Sequence, residues 1–242
     1  MSSLSPFDEA RRRLIIQQLS ISALTALPMA RTAWAAGPLG GRPEKLPPGQ
    51  SVYRVTGKVL VNGQQASADT RINANATIET ALGGELVFVV GDSAMLVRQD
   101  TRIALQGNAN VQTVRLTQGK VLSVYGGGTR SLTTPTAAIG ITGTGVYMEA
   151  DPEQTYFCTC YGTSDVRSVA NPAARETVTT KHHDRPLYIV RSGQAASAIR
   201  PAPFINHTDQ ELMLIETLVG RTPPFILPGS QYNAPRPRTG YR

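Results

Sequence analysis

The chain has 242 residues, a formal net charge of +7 and two cysteines. That cysteine count excludes a disulfide-dense miniprotein. The basic excess does not form a stripe with interleaved aromatics in the body of the chain, which argues against nucleic acid as a partner.

Residues 1–35 read as an export signal peptide. Arg11, Arg12 and Arg13 precede a moderately apolar run from Leu14 to Met29, and Ala33-Trp34-Ala35 supplies a small-x-small cleavage site. Gln17, Gln18, Ser20 and Ser22 interrupt that run, which is short for a membrane span of about 20 apolar residues. The arginines and weak hydrophobicity fit twin-arginine export. The expectation is a periplasmic protein with no transmembrane span in its mature chain.

Residues 36–50 are rich in Gly and Pro and read as a linker. From Ser51 to Ala150 the apolar residues alternate or run for about five positions, as in Glu85–Val90, and turn signals such as Asn62-Gly63 and Gly126-Gly127-Gly128 separate them. This is the pattern of many short strands, hence an all-β fold without crossover helices.

Several of these segments carry a resemblance. Gly57–Gly63, Ile78-Glu79-Thr80, Gly91–Leu96, Leu116–Val121 and the closing block Thr134–Val146 resemble, in order and spacing, the FecR domain, the periplasmic module of iron-dicitrate-type sensors. The resemblance covers about residues 51–150 and implies a twisted, solenoid-like stack of short strands. It also implies a non-enzymatic interaction or sensory role toward an envelope protein or glycan. Thr142 stands where that family usually has Arg. Family members that act as transmembrane regulators carry a cytoplasmic sigma-factor-binding segment. With about ten residues before the arginines, the expectation here is the exported module without that output. Within the closing block, Gly143, Thr144 and Gly145 form a structural motif in which glycine supplies backbone freedom or close approach. Its glycine order matches neither a dinucleotide fingerprint nor a P-loop.

Residues 151–220 read as further strands followed by a helix. Thr208-Asp209-Gln210-Glu211 is a capping box, the apolar residues Leu212, Leu214, Ile215, Leu218 and Val219 follow, and Gly220 stands where the helix ends. Residues 221–242 read as a disordered basic tail.

The stretch 151–220 also contains both cysteines and all three histidines: Cys158, Cys160, His182, His183 and His207. Thiolates and imidazoles suit zinc or copper, although the spacing matches no standard zinc module. In a strand, Cys158 and Cys160 share a face, and a disulfide between them needs a turn or bulge at Thr159. Three readings stay open at this point: packed free thiols, a metal site, or a strained, redox-active disulfide. The chain has no G-x-S-x-G elbow and no H-E-x-x-H, so it is read as a non-enzyme. The alternative to the interaction module is a periplasmic metal-binding or thiol-redox protein using Cys158 and Cys160 with nearby histidines.

Overall fold

The computed structural model describes residues 43–191 and 198–226. The signal-like segment 1–35 lies outside the described residues, as does the tail beyond 226. The described chain is all-β with one short C-terminal helix. No helix among these residues is long and apolar enough to cross a membrane.

Fourteen strands form one open sheet: β1 (Val52–Thr56), β2 (Val59–Val61), β3 (Gln64–Gln65), β4 (Thr77–Thr80), β5 (Glu85–Val90), β6 (Ser93–Val97), β7 (Thr101–Gly107), β8 (Val111–Val124), β9 (Thr129–Thr133), β10 (Ala137–Ala150), β11 (Gln154–Ser168), β12 (Arg175–Thr180), β13 (Leu187–Val190) and β14 (Ile199–Pro201). Pairing is antiparallel except for β8 with β9. The three long strands β8, β10 and β11 form the spine. β8 pairs with β6, β7, β9 and β10, and β11 pairs with β10, β12 and β13.

The alternation of side chains across the spine builds two apolar layers. Met95, Val97, Val121, Val146, Met148 and Phe157 point into the main core. Their neighbours Ala94, Leu96, Leu122, Tyr147, Tyr156, Cys158 and Cys160 point to the opposite face. That second face is covered by helix α1 (Asp209–Leu218), which contributes Leu212, Ile215 and Leu218. Each of those side chains contributes about 1.5–3 kcal/mol by leaving water. Burial on both faces explains why residues 94–97 of β6 form a continuous apolar run instead of an alternating one.

Helix α1 starts and stops as its sequence dictates. The Thr208 hydroxyl accepts from the Glu211 amide, and the Glu211 carboxylate accepts from the Thr208 amide. At the other end Gly220 takes φ +76°, and the amides of Gly220 and Arg221 return to the carbonyls of Thr217 and Glu216 at 2.9 Å each. This is a Schellman closure. Its end is further held by Leu46, whose amide donates to Leu218 O, and by Arg221, whose guanidinium pairs with buried Glu216 of the helix and donates to the Asp92 carbonyl between β5 and β6. Phe225 packs against the same layer.

Gly143 and Gly145 play different parts. Gly143 has φ +55° with open space where a Cβ would lie, whereas a Cβ on Gly145 would lie 2.6 Å from the Tyr161 ring. Thr144 is fully buried beside them.

Candidate metal centre

Cys158 and Cys160 lie on β11, both fully buried, both free thiols. Strand period places Cys158 on the helix-covered face, opposite Tyr147 of β10. At Cys160 the register slips: Thr159 opposes Val146 and Tyr161 opposes Gly145, leaving Cys160 as the extra residue of a bulge. A bulge re-aims a side chain while the ladder resumes beyond it. Here Cys160 keeps the face of Cys158, and the slip brings the next residue, Tyr161, to the same layer.

The histidines reach that layer from two turns. His183 lies between β12 and β13, in the left-handed region at φ +53°, and its amide donates to Cys160 O at 3.0 Å. Thr180 Oγ1 accepts from the amides of His182 and Asp184, at 3.2 and 3.0 Å, and donates to Asp184 Oδ2. His207 precedes the N-cap of α1. It follows Asn206, which is also left-handed at φ +58°. A non-glycine residue in that region costs about 1–2 kcal/mol and persists where the surroundings hold it. Two such residues, one at and one beside a histidine of the cluster, mark the place where the backbone is bent to deliver side chains. The His207 ring is buried and stacked on Tyr147, with centroids 4.4 Å apart.

One ligand atom from each of Cys158, Cys160, His183 and His207 lies within 4.8 Å of the other three. His183 Nδ1 is 3.5 Å from Cys158 Sγ and 3.2 Å from His207 Nε2. Tetrahedral zinc with bonds of about 2.3 Å to sulfur and about 2.05 Å to nitrogen requires sulfur–nitrogen and nitrogen–nitrogen separations of about 3.5 and 3.3 Å. The two distances around His183 Nδ1 match those of a tetrahedral site, and the remaining ligand atoms lie within 4.8 Å of one another.

The ring protons are assigned by partners that can only accept. His207 Nδ1 donates to Ile205 O at 2.7 Å, and His183 Nε2 donates to Asp209 Oδ1 at 3.1 Å. Each ring therefore presents its other nitrogen to the cage. A carbonyl or carboxylate behind each ligating imidazole is the usual outer support of a metal site, fixing tautomer and orientation. The sulfurs are similarly prepared. The hydrogen bond from Cys160 holds the Cys158 thiol well below its ordinary range, at about 4. Burial pushes Cys160 up, with Cys158 beside it adding to the effect. The pair thus holds a thiolate on Cys158 and a proton on Cys160, which a metal would displace.

Of the five residues singled out from the sequence, four meet. His182 stands just outside. Its Nε2 lies 2.9 Å from Asp209 Oδ1, and its ring packs tilted against Phe225, with centroids 4.5 Å apart. Sequence reasoning did not identify Asp209 as part of the site. The signal available was its position, two residues after His207 and one after the N-cap Thr208.

No family model matches this sequence, and no curated protein matches it. Two crystal structures of a candidate anti-sigma factor from Parabacteroides distasonis are similar to it, each at 11% identity over 52% of this chain, with TM-scores of 0.42 and 0.43. The matched part spans 58% of those chains.

Proposed function

We propose that this chain is an exported, non-enzymatic β module that binds a transition metal, zinc(II) or copper(I), through Cys158, Cys160, His183 and His207. The single observation behind this reading is the convergence of those four ligand atoms within 4.8 Å, three of the residues being buried. An S₂N₂ tetrahedron suits zinc, and its two thiolates also suit copper(I). The sensory or interaction role toward an envelope protein or glycan belongs to the same proposal. It rests on the FecR-like segments of residues 51–150, and the periplasmic location rests on residues 1–35. Metal occupancy would tie the strand spine to the turn before β13 and to the start of α1, so it can set the geometry of the surface the module presents.

The same residues also line up as thiol, imidazole and carboxylate: Cys158, His183 and Asp209. That order would serve a nucleophilic cysteine. Access decides between the two readings. Cys158 is fully buried, and the adjacent cleft of about 330 Å³ is lined by His182, His183, Phe204 and Asp209, not by either sulfur.

The test is direct. Full-length protein, purified reduced and without oxygen, is titrated with zinc(II) against a chromophoric chelator. A tight equivalent that raises the thermal midpoint, and that is absent from Cys158→Ser, is the expected result. Wild-type protein that takes up no zinc(II) or copper(I), or a Cys158→Ser variant that binds as tightly as wild type, would overturn the reading.

A further inference from the structure

The outer side of the cage carries a second set of donors. His182 Nε2 and His183 Nε2 both point at the same oxygen, Asp209 Oδ1, from 2.9 and 3.1 Å. These atoms also lie mutually within ligand range. The set differs from the inner one in every property that governs coordination. It has no sulfur. The side chains of His182 and Asp209 are 47% and 27% exposed. It borders the cleft of about 330 Å³ whose wall includes Thr208 and Gln210. Closed four-ligand cages are structural, whereas three protein ligands facing a cleft leave a position for water or another donor.

His183 belongs to both sets. Nδ1 faces the sulfurs and His207, and Nε2 faces Asp209 and His182. The ring is held edge-on to Phe204 on one side and to His182 on another, with centroids 4.6 and 4.7 Å apart. Its orientation is therefore fixed while both nitrogens remain directed at donors.

We infer that the protein has a second metal position, formed by His182, His183 and Asp209, bridged to the buried centre through the His183 ring and open to the cleft. This rests on the proposed inner centre, which holds His183 through Nδ1. The ligand class is two imidazoles and one carboxylate, which suits zinc(II) or copper(II). When the outer ion binds, the Nε2–H bond of His183 breaks, its proton passes to solvent, and the nitrogen lone pair forms the new bond to metal. His182 keeps one proton by carrying it on Nδ1. No electron is transferred. The outer ion has a free coordination position facing the cleft, where water or a small external donor completes its shell.

Cobalt(II) separates the two positions, because thiolate coordination gives an intense near-ultraviolet charge-transfer band and nitrogen–oxygen coordination does not. Reduced full-length protein is titrated with cobalt(II) at fixed pH while proton release is followed. The first equivalent should bring the thiolate band. The second should add only weak visible bands and release about one proton per ion, from His183. His182→Ala, a change at a half-exposed side chain, should keep the first equivalent and weaken the second at least about tenfold, and Asp209→Asn should weaken the second as well. A single equivalent in wild type, or a second equivalent unaffected by both substitutions, would overturn the outer position and leave the inner one standing. Absence of the thiolate band at any ratio would remove the inner centre, and the bridged position with it.

Discussion

His183 Nδ1 and His207 Nε2 face each other at 3.2 Å, and the far nitrogen of each ring is already committed to an oxygen that can only accept. Tautomers held this way turn nitrogen lone pairs toward one another. A cation between them converts that repulsion into two bonds. His207→Ala is therefore expected to weaken the tight zinc equivalent by more than about 100-fold, beyond the 10- to 100-fold typical of losing an outer partner. His182→Ala should change that equivalent far less. Equal losses in the two variants, measured by chelator competition, would show that the histidines are not divided between an inner and an outer role.

The two motif glycines should separate under substitution. Gly145→Ala drives a methyl group into the Tyr161 ring, at 2.6 Å, and should cost about 1–3 kcal/mol as overpacking does. Gly143 needs only its positive φ, since a Cβ there would meet nothing within 4 Å. Gly143→Asn should cost less than about 1 kcal/mol, because asparagine visits the left-handed region. Gly143→Val should cost about 1–2 kcal/mol through backbone strain alone. Denaturant midpoints of the three variants give the order, and Gly145→Ala as the mildest would contradict it.

Much of this was legible from residues alone, for a physical reason in each case. Cys158 and Cys160 could be placed on one face because a strand has period two, and the capping box at Thr208 could be read because it depends on four adjacent residues. The separation of His182 from His183 was not legible. It follows from the left-handed backbone of His183, set by the Thr180 hydroxyl and by the Cys160 carbonyl across the sheet. Asp209 was hidden for the opposite reason. An acid in the first turn of a helix is already explained by the helix dipole, so nothing local advertises its contact with two histidines. The bulge at Cys160 depends on the register with Gly145, which no single segment reveals.

Glu216 is a buried carboxylate on α1 that accepts from Tyr161 and pairs with Arg221 at 2.7 Å. Arg221→Ala should leave that charge uncompensated and cost about 3–5 kcal/mol. Adding Glu216→Gln should recover part of the loss, since the amide can still accept from the Tyr161 hydroxyl without carrying charge. The thermal midpoints of the single and double variants report this coupling. A double variant less stable than Arg221→Ala would mean that the Arg221 contact to the Asp92 carbonyl, at 2.6 Å, carries the effect instead.

Tyr125 gives a prediction at alkaline pH. It follows β8, is 3% exposed, and its hydroxyl has no hydrogen-bond partner among the described residues. Burial pushes its phenol pKa up, because the folded chain cannot solvate a phenolate there. The unfolded chain releases that proton near pH 10. A raised folded-state value contributes stability that is fully present below pH 10. That contribution is lost as pH rises toward the folded value, because the unfolded state binds fewer protons in that window. The loss is about 1.4 kcal/mol per pH unit for one group. Tyr125→Phe removes the ionisation and keeps the ring. At pH 7 it should be neutral or slightly stabilising, since the hydroxyl it deletes is unpartnered. Between pH 10.5 and 11.5 the variant should lose about 1.4 kcal/mol less than wild type, the other buried tyrosines contributing equally to both. Parallel stability curves across that range, from denaturant unfolding at closely spaced pH values, would show that Tyr125 ionises in the folded protein as freely as in water.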